Sequence, residues 1–228
     1  MNWILVVVFL FALLEWIAAN NEYRRLEYFV KPLTMIALIA WVLTSMIEIG
    51  NPPPNLIWIA IGLVLCLFGD IFLMLPPKKW FLPGLVAFLL GHIAYIIGFR
   101  VMSIIEGTTI PAIFLLLIIL IVGGSVFSRL KGGLIASGKN NLILPVGIYS
   151  IVISYMLFSA AYSFLNPAWE TTNTYLVAFG ALLFFISDVL NAWSRFIFSF
   201  KSARLIVMVT YHLGQIGIAV GTTFHFLK

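Results

Sequence analysis

Residues 65–80 read LCLFGDIFLMLPPKKW: an apolar run with one acid, Asp70, closed by a proline pair and a lysine pair. Insertion scales set the cost of an aspartate at the centre of a membrane helix at about 2.5 to 3.5 kcal/mol, so such residues are rare and are generally functional. The pattern recurs in LLFFISDVLNAW at 182–193, where Asp188 stands at the matching place and basic residues again follow. If both stretches are membrane helices, the chain is a polytopic membrane protein and the two aspartates are its first candidates for a site.

Composition supports that reading. Of the 228 residues, 63% are hydrophobic and 9% charged, against about 25% charged in a globular domain. At about 20 residues per span, the length accommodates a single all-α domain of eight transmembrane helices over 1–228, with possible halves 1–110 and 111–228. The single cysteine, Cys66, excludes a cysteine-rich metal or iron–sulfur site and says nothing of redox compartment. Three histidines leave room for at most a sparse metal site, and the reading carries no metal and no cofactor. The net charge of +5 is spread over inter-span loops with no polybasic run, which argues against a nucleic-acid partner.

Hydropathy and turn signals predict spans at 3–20, 32–49, 55–75, 80–101, 111–127, 141–164, 173–193 and 203–225. The breakers are NPPPN at 51–55, PPKK at 76–79, Pro111, KGGLIASGKNN at 131–141 and NPAWETTN at 166–173. The first span lacks a basic leader and reads as a retained helix, not a cleaved signal peptide. Eleven of the thirteen basic residues flank the ends reached after spans 1, 3, 5 and 7; Arg100 and Lys228 are the exceptions. By the positive-inside rule those loops are cytoplasmic and both termini face out, as in a multi-pass protein of a cell (inner) membrane. Asp70 and Asp188 then lie about 8 Å from the cytoplasmic ends of their spans, at about 1.5 Å per residue.

A faint repeat runs through the chain. FGDIFLM, a basic loop and GHIAY are echoed by FISDVLN, a basic loop and TYHLGQ. The echo suggests two parallel four-helix repeats that face their equivalent groups across a cavity. Helical spacing sets Gly62, Cys66, Gly69 and Leu73 in a small-residue stripe beside Asp70. Gly180, Phe184, Ser187 and Asn191 form a similar row beside Asp188. Tyr211, His212 and Gln215 cluster on span 8, and Tyr149 lies one turn after Pro145 at the head of span 6. Span 2 opens at Lys31-Pro32, proline being tolerated at a helix start. Each residue has a plainer reading: helix-linking carboxyls, satisfied interior histidines, packing tyrosines with one wet end, orientation lysines and packing glycines. Their convergence in the cytoplasmic half favours a site made of Asp70 and Asp188. Lys31, His92, Tyr95, Tyr149, Asn191, Tyr211, His212 and Gln215 are candidates to orient substrate or water.

The ordered motifs GDIFLM…FLPGLVAFLLGHIAYIIGF, LPVGIYSIVISYML, FGALLFFISDVLNAW and VTYHLGQ together resemble the YhhN family, the membrane family that includes the animal lysoplasmalogenases. They run from Lys31-Pro32 to Gln215. One departure stands out: the family's last motif usually has two tyrosines before the glutamine, and His212 replaces the second here. The resemblance implies hydrolysis of the vinyl ether bond of a lysoplasmalogen, a lysophospholipid within a membrane, to a fatty aldehyde and a glycerophospho-ethanolamine or -choline. That chemistry suits the residues. Protonating the β-carbon leaves an oxocarbenium ion, water adds, and the hemiacetal collapses. An acid and a second carboxylate are required, and burial with a like charge nearby favours one neutral partner in such a pair. Which aspartate plays which part stays open, as do three rival readings. One is a small-molecule or lipid transporter using the carboxylates as a proton relay. Another is a metal-dependent lipid hydrolase using His92, His212 and an aspartate. The third is a purely structural membrane protein.

Overall fold

The computed structural model describes residues 2–99, 105 and 107–227. Eight long helices account for nearly all of them: α1 (Asn2–Asn20), α2 (Arg24–Ile49), α3 (Pro54–Met74), α4 (Pro77–Phe99), α5 (Thr109–Ala136), α6 (Ile143–Ala161), α7 (Thr171–Phe196) and α8 (Ala203–Phe226). Each is long and apolar enough to cross a membrane, and the chain is a multi-pass integral membrane protein. Short 3₁₀ segments, Asn140–Leu142 and Tyr162–Leu165, bracket α6. Large apolar side chains such as Phe29, Ile47, Ile110, Ile121 and Leu144 point outward, as a bilayer solvent permits. Arg100 and Lys228, expected at the end opposite the other basic residues, lie outside the described residues.

Consecutive helices pack as hairpins, and α3 with α4 and α7 with α8 are the most extensive pairs. Both depend on glycine. A Cβ on Gly180 would sit 2.7 Å from the backbone nitrogen of Ile218, and one on Gly214 would sit 2.8 Å from that of Phe184. In α3–α4 the close approach is to side chains: a Cβ on Gly62 would meet the Tyr95 ring at 2.3 Å. Without a hydrophobic drive between helices in lipid, such closeness is what gains packing contacts.

Three boundaries depart from the sequence expectation. α5 continues through Gly132 and Gly133 to Ala136 instead of stopping near 127. Here Gly133 is a packing contact, since a Cβ on it would lie 2.4 Å from the Phe196 carbonyl oxygen, while Gly132 faces open space. The helix ends where Gly138 takes a φ of +67°. α2 begins at Arg24, so Pro32 lies inside it and Lys31 is two turns in, not at its start. α7 runs to Phe196, which sets Asp188 about 12 Å from the helix end at about 1.5 Å per residue. Asp70 is four residues from the end of α3, about 6 Å by the same measure, so the two acids are not at equal depth along their helices.

Candidate active site

Asp70 is nearly inaccessible, its side chain 1% exposed, and its two oxygens have separate partners. Oδ1 lies 2.9 Å from the Lys31 ammonium of α2. Oδ2 accepts a hydrogen bond from the Tyr211 hydroxyl of α8 at 2.6 Å. A buried carboxylate needs such compensation, since one left alone would cost several kcal/mol. The Lys31 position inside α2 is what brings its ammonium to this depth.

Asp188 is held differently. Its Oδ2 accepts from the Tyr149 hydroxyl of α6 and lies 3.3 Å from His92 Nε2 of α4. The same His92 nitrogen is 2.9 Å from the Tyr149 hydroxyl. His92 Nδ1 is buried without a partner, so the tautomer that suits this arrangement carries its proton on Nε2 and donates it into the cluster. The Asp188 side chain is 15% exposed.

The two sets are cross-braced. Each aspartate, on the third helix of its half, is held by the second helix of the same half and the fourth helix of the other. Tyr95 of α4 and Gln215 of α8, which occupy matching places in the echoed sequences, meet each other: the tyrosine hydroxyl donates to Gln215 Oε1 at 2.6 Å. Gln215 Nε2 in turn reaches the Tyr211 hydroxyl at 3.3 Å. Phe184 is fully buried at the centre, its ring against those of His92, Tyr95 and Tyr211.

Both aspartates line one inner cavity of about 90 Å³, with Lys31, Tyr149, Asn191 and Tyr211 also in its wall. The remainder of that wall is largely apolar, from residues such as Phe81, Phe88, Val126, Leu130 and Phe185. A polar vestibule of about 880 Å³ adjoins it at the end of the bundle rich in basic residues, lined by Glu15, Glu22, Arg24, Glu27, Lys201 and Arg204 among others. Lys31, Asn191 and Arg195 belong to both walls. The polar vestibule and the apolar cavity that holds both carboxylates therefore share part of one wall.

Of the ten residues singled out from sequence, Lys31, Asp70, Tyr149, Asp188, Asn191 and Tyr211 face the inner cavity. His92, Tyr95 and Gln215 stand behind them as hydrogen-bonding support. His212 stands apart: it is 1% exposed, its Nδ1 accepts from the Trp16 indole of α1 at 3.2 Å, and it lines neither cavity. The preceding residue, Tyr211, takes the aspartate-facing place that the repeat suggests for it. Among the described residues no three His, Cys, Asp or Glu side chains converge as a metal site would require. Sequence reading passed over Glu15 and the Glu27–Arg204 ion pair. Glu15, in the apolar run LLEWIAA, carries the same signal that identifies Asp70.

The sequence profile of the YhhN family matches residues 26–222. Among similar proteins, the chain is 28% identical over 171 residues to a protein named lysoplasmalogenase TMEM86A from Bos taurus, covering 73% of this chain and 65% of that one. It is 29% identical over 159 residues to lysoplasmalogenase TMEM86B of Homo sapiens, covering 70% and 60%. A lysoplasmalogenase of Mycobacterium bovis is 26% identical over 168 residues, covering 73% and 60%. The match to these three relatives thus spans less than two thirds of their length. No solved structure matches the chain.

Proposed function

The chain belongs to the YhhN family, and from that premise we propose that it is a lysoplasmalogenase-type hydrolase that cleaves the vinyl ether of an alkenyl lysophospholipid. The observation that carries the reading is that both intramembrane aspartates line one apolar cavity beneath a polar vestibule. The alkenyl chain occupies the apolar cavity and the headgroup the vestibule, so the bond between them lies at the carboxylates.

We divide the parts by the unlike settings of the aspartates. Asp188, whose partners Tyr149 and His92 both meet Oδ2 and leave Oδ1 free, is the acid and gives a proton from Oδ1 to the vinyl β-carbon. Asp70, ion-paired with Lys31 and bonded to Tyr211, is the standing carboxylate. It faces the oxocarbenium ion and takes a proton from the attacking water. In the collapse of the hemiacetal, the hydroxyl proton returns to Asp188 and the Asp70 proton goes to the departing glycerol oxygen. Both groups end as they began. Preorganised charge at the developing cation, in a cavity that excludes bulk water, is the larger source of rate in such a scheme; the positioned acid adds about a hundredfold or more.

The test is incubation of purified protein with a lysoplasmalogen and measurement of aldehyde. Aldehyde in proportion to the lost vinyl ether supports the reading, and its absence overturns it. We also propose that the vestibule opens to the cytoplasm from a cell (inner) membrane, with both termini outside, on the strength of the basic residues gathered at its end. In intact cells Lys78→Cys, Lys139→Cys and Lys201→Cys should then resist an impermeant thiol reagent while Pro53→Cys and Asn166→Cys react. The reverse pattern would invert the orientation.

A further inference from the structure

Glu15 of α1 is the buried acid that the scheme above leaves unused. It is 0% exposed, it forms part of the vestibule wall, and neither carboxylate oxygen has a hydrogen-bond partner. Its electrostatic neighbours are Lys31, Asp70 and Arg204, but both cations already have carboxylates: Lys31 pairs with Asp70 and Arg204 with Glu27. Glu27 keeps one oxygen, Oε1, buried and unpartnered in the same wall. A buried acceptor without a donor is costly, and three in one wall call for a donor from outside the chain.

The opposite charge is also in surplus. Arg24, Arg195 and Lys201 line the vestibule and have no ion pair with a carboxylate among the described residues. One vestibule therefore offers unpaired cations beside an unpaired, enclosed acid, the complement of a zwitterion. A lysophospholipid headgroup is such a zwitterion, with its phosphate and amine a few bonds apart.

We infer that the vestibule is a headgroup subsite for a phosphoethanolamine, in which Glu15, assisted by Glu27 Oε1, accepts hydrogen bonds from the primary ammonium while the unpaired basic residues hold the phosphate. The inference rests on the hydrolase reading and extends it to headgroup choice. Three oxygens lacking donors match the three N–H bonds of a primary ammonium. A trimethylammonium has none; it is recognised by aromatic cages, and the vestibule wall contains only Tyr28 and Phe200 as aromatic residues. A choline headgroup would leave the buried acceptors unsatisfied.

The test uses the full-length protein in micelles with alkenyl lysophospholipids alike in chain and differing only in headgroup: ethanolamine, its N-methyl and N,N-dimethyl derivatives, and choline. For the unaltered protein, kcat/KM should fall stepwise along that series, by about tenfold overall for loss of charge-assisted hydrogen bonds. Glu15→Gln should remove most of the preference by slowing the ethanolamine substrate and leaving the choline substrate nearly unchanged. A flat series in the unaltered protein overturns the subsite whether or not the variant folds, and so does an equal loss on both substrates in a folded Glu15→Gln. Competition between ester lysophosphatidyl-ethanolamine and -choline for binding separates the two claims. Preferential binding of the ethanolamine lipid without any aldehyde release refutes the hydrolase reading and leaves the subsite standing; aldehyde release without preference does the reverse.

Discussion

Asp70 and Asp188 occupy matching places in the sequence and unlike places in the protein. Asp70 is sealed, with a permanent cation on one oxygen and a tyrosine on the other. Asp188 is partly open to the cavity, and its partners Tyr149 and His92 meet on a single oxygen. In the proposed scheme the first setting holds a charge and the second passes a proton. Two like stretches of sequence can supply similar carboxylates, and the neighbours brought by the other helices make them differ. Lys31 of α2 and Tyr211 of α8 hold Asp70, where Tyr149 of α6 and His92 of α4 hold Asp188, so a permanent cation stands beside the first acid alone.

The comparison can be attacked at each partner. The largest effect is expected at the aspartates themselves: Asp70→Asn and Asp188→Asn should each lower aldehyde release by at least about a hundredfold, the lower end for losing an acid or base. The double variant should be little worse than either single one, because the groups act as a unit. A folded single variant with near-normal turnover would reduce that aspartate to a packing residue. Next comes Lys31→Met, which strands Asp70 as a lone buried charge and should destabilise the fold by about 3 kcal/mol or more. Adding Asp70→Asn to it should recover stability, read as the thermal midpoint in detergent, without recovering activity. If Lys31→Met melts normally, the ion pair is not what holds Asp70.

Smaller effects separate the two histidines. His92→Gln and Tyr149→Phe each alter one hydrogen bond to Asp188 and should cost up to about tenfold in kcat/KM, the upper end for one neutral hydrogen bond. His212→Gln keeps an acceptor for the Trp16 indole and should change kcat/KM by less than about threefold, well below the loss at His92, since His212 lines neither cavity. Equal losses at His92 and His212 would contradict the asymmetry between the two halves.

The helices were legible because a membrane span is long and apolar, and both aspartates were legible because a charge is conspicuous there. Less could be read of what packing decides. The Gly132-Gly133 pair reads as a breaker in isolation, and in the helix Gly133 packs closely on Phe196. The echo of GHIAY in TYHLGQ pairs His92 with His212, yet one residue along α8 is a rotation of about 100°. That rotation turns Tyr211 to Asp70 and His212 to Trp16. Spacing puts Phe184 in the row beside Asp188, but nothing in LLFFISDVL says that His92, Tyr95 and Tyr211 from other helices pack against its ring.

The account's central claim is that a carboxyl proton is delivered to carbon and water then adds to the cation beside a second carboxylate. Isotopes test it most directly. Turnover of a lysoplasmalogen in D₂O containing ¹⁸O, with the aldehyde trapped at once by reduction, should give product with one deuterium on the carbon next to the former carbonyl. The heavy oxygen should be in that product and not in the glycerol. Heavy oxygen in the glycerol fragment, or an aldehyde without deuterium, would mean that the bond breaks some other way, and the division of labour between Asp188 and Asp70 would fall with it.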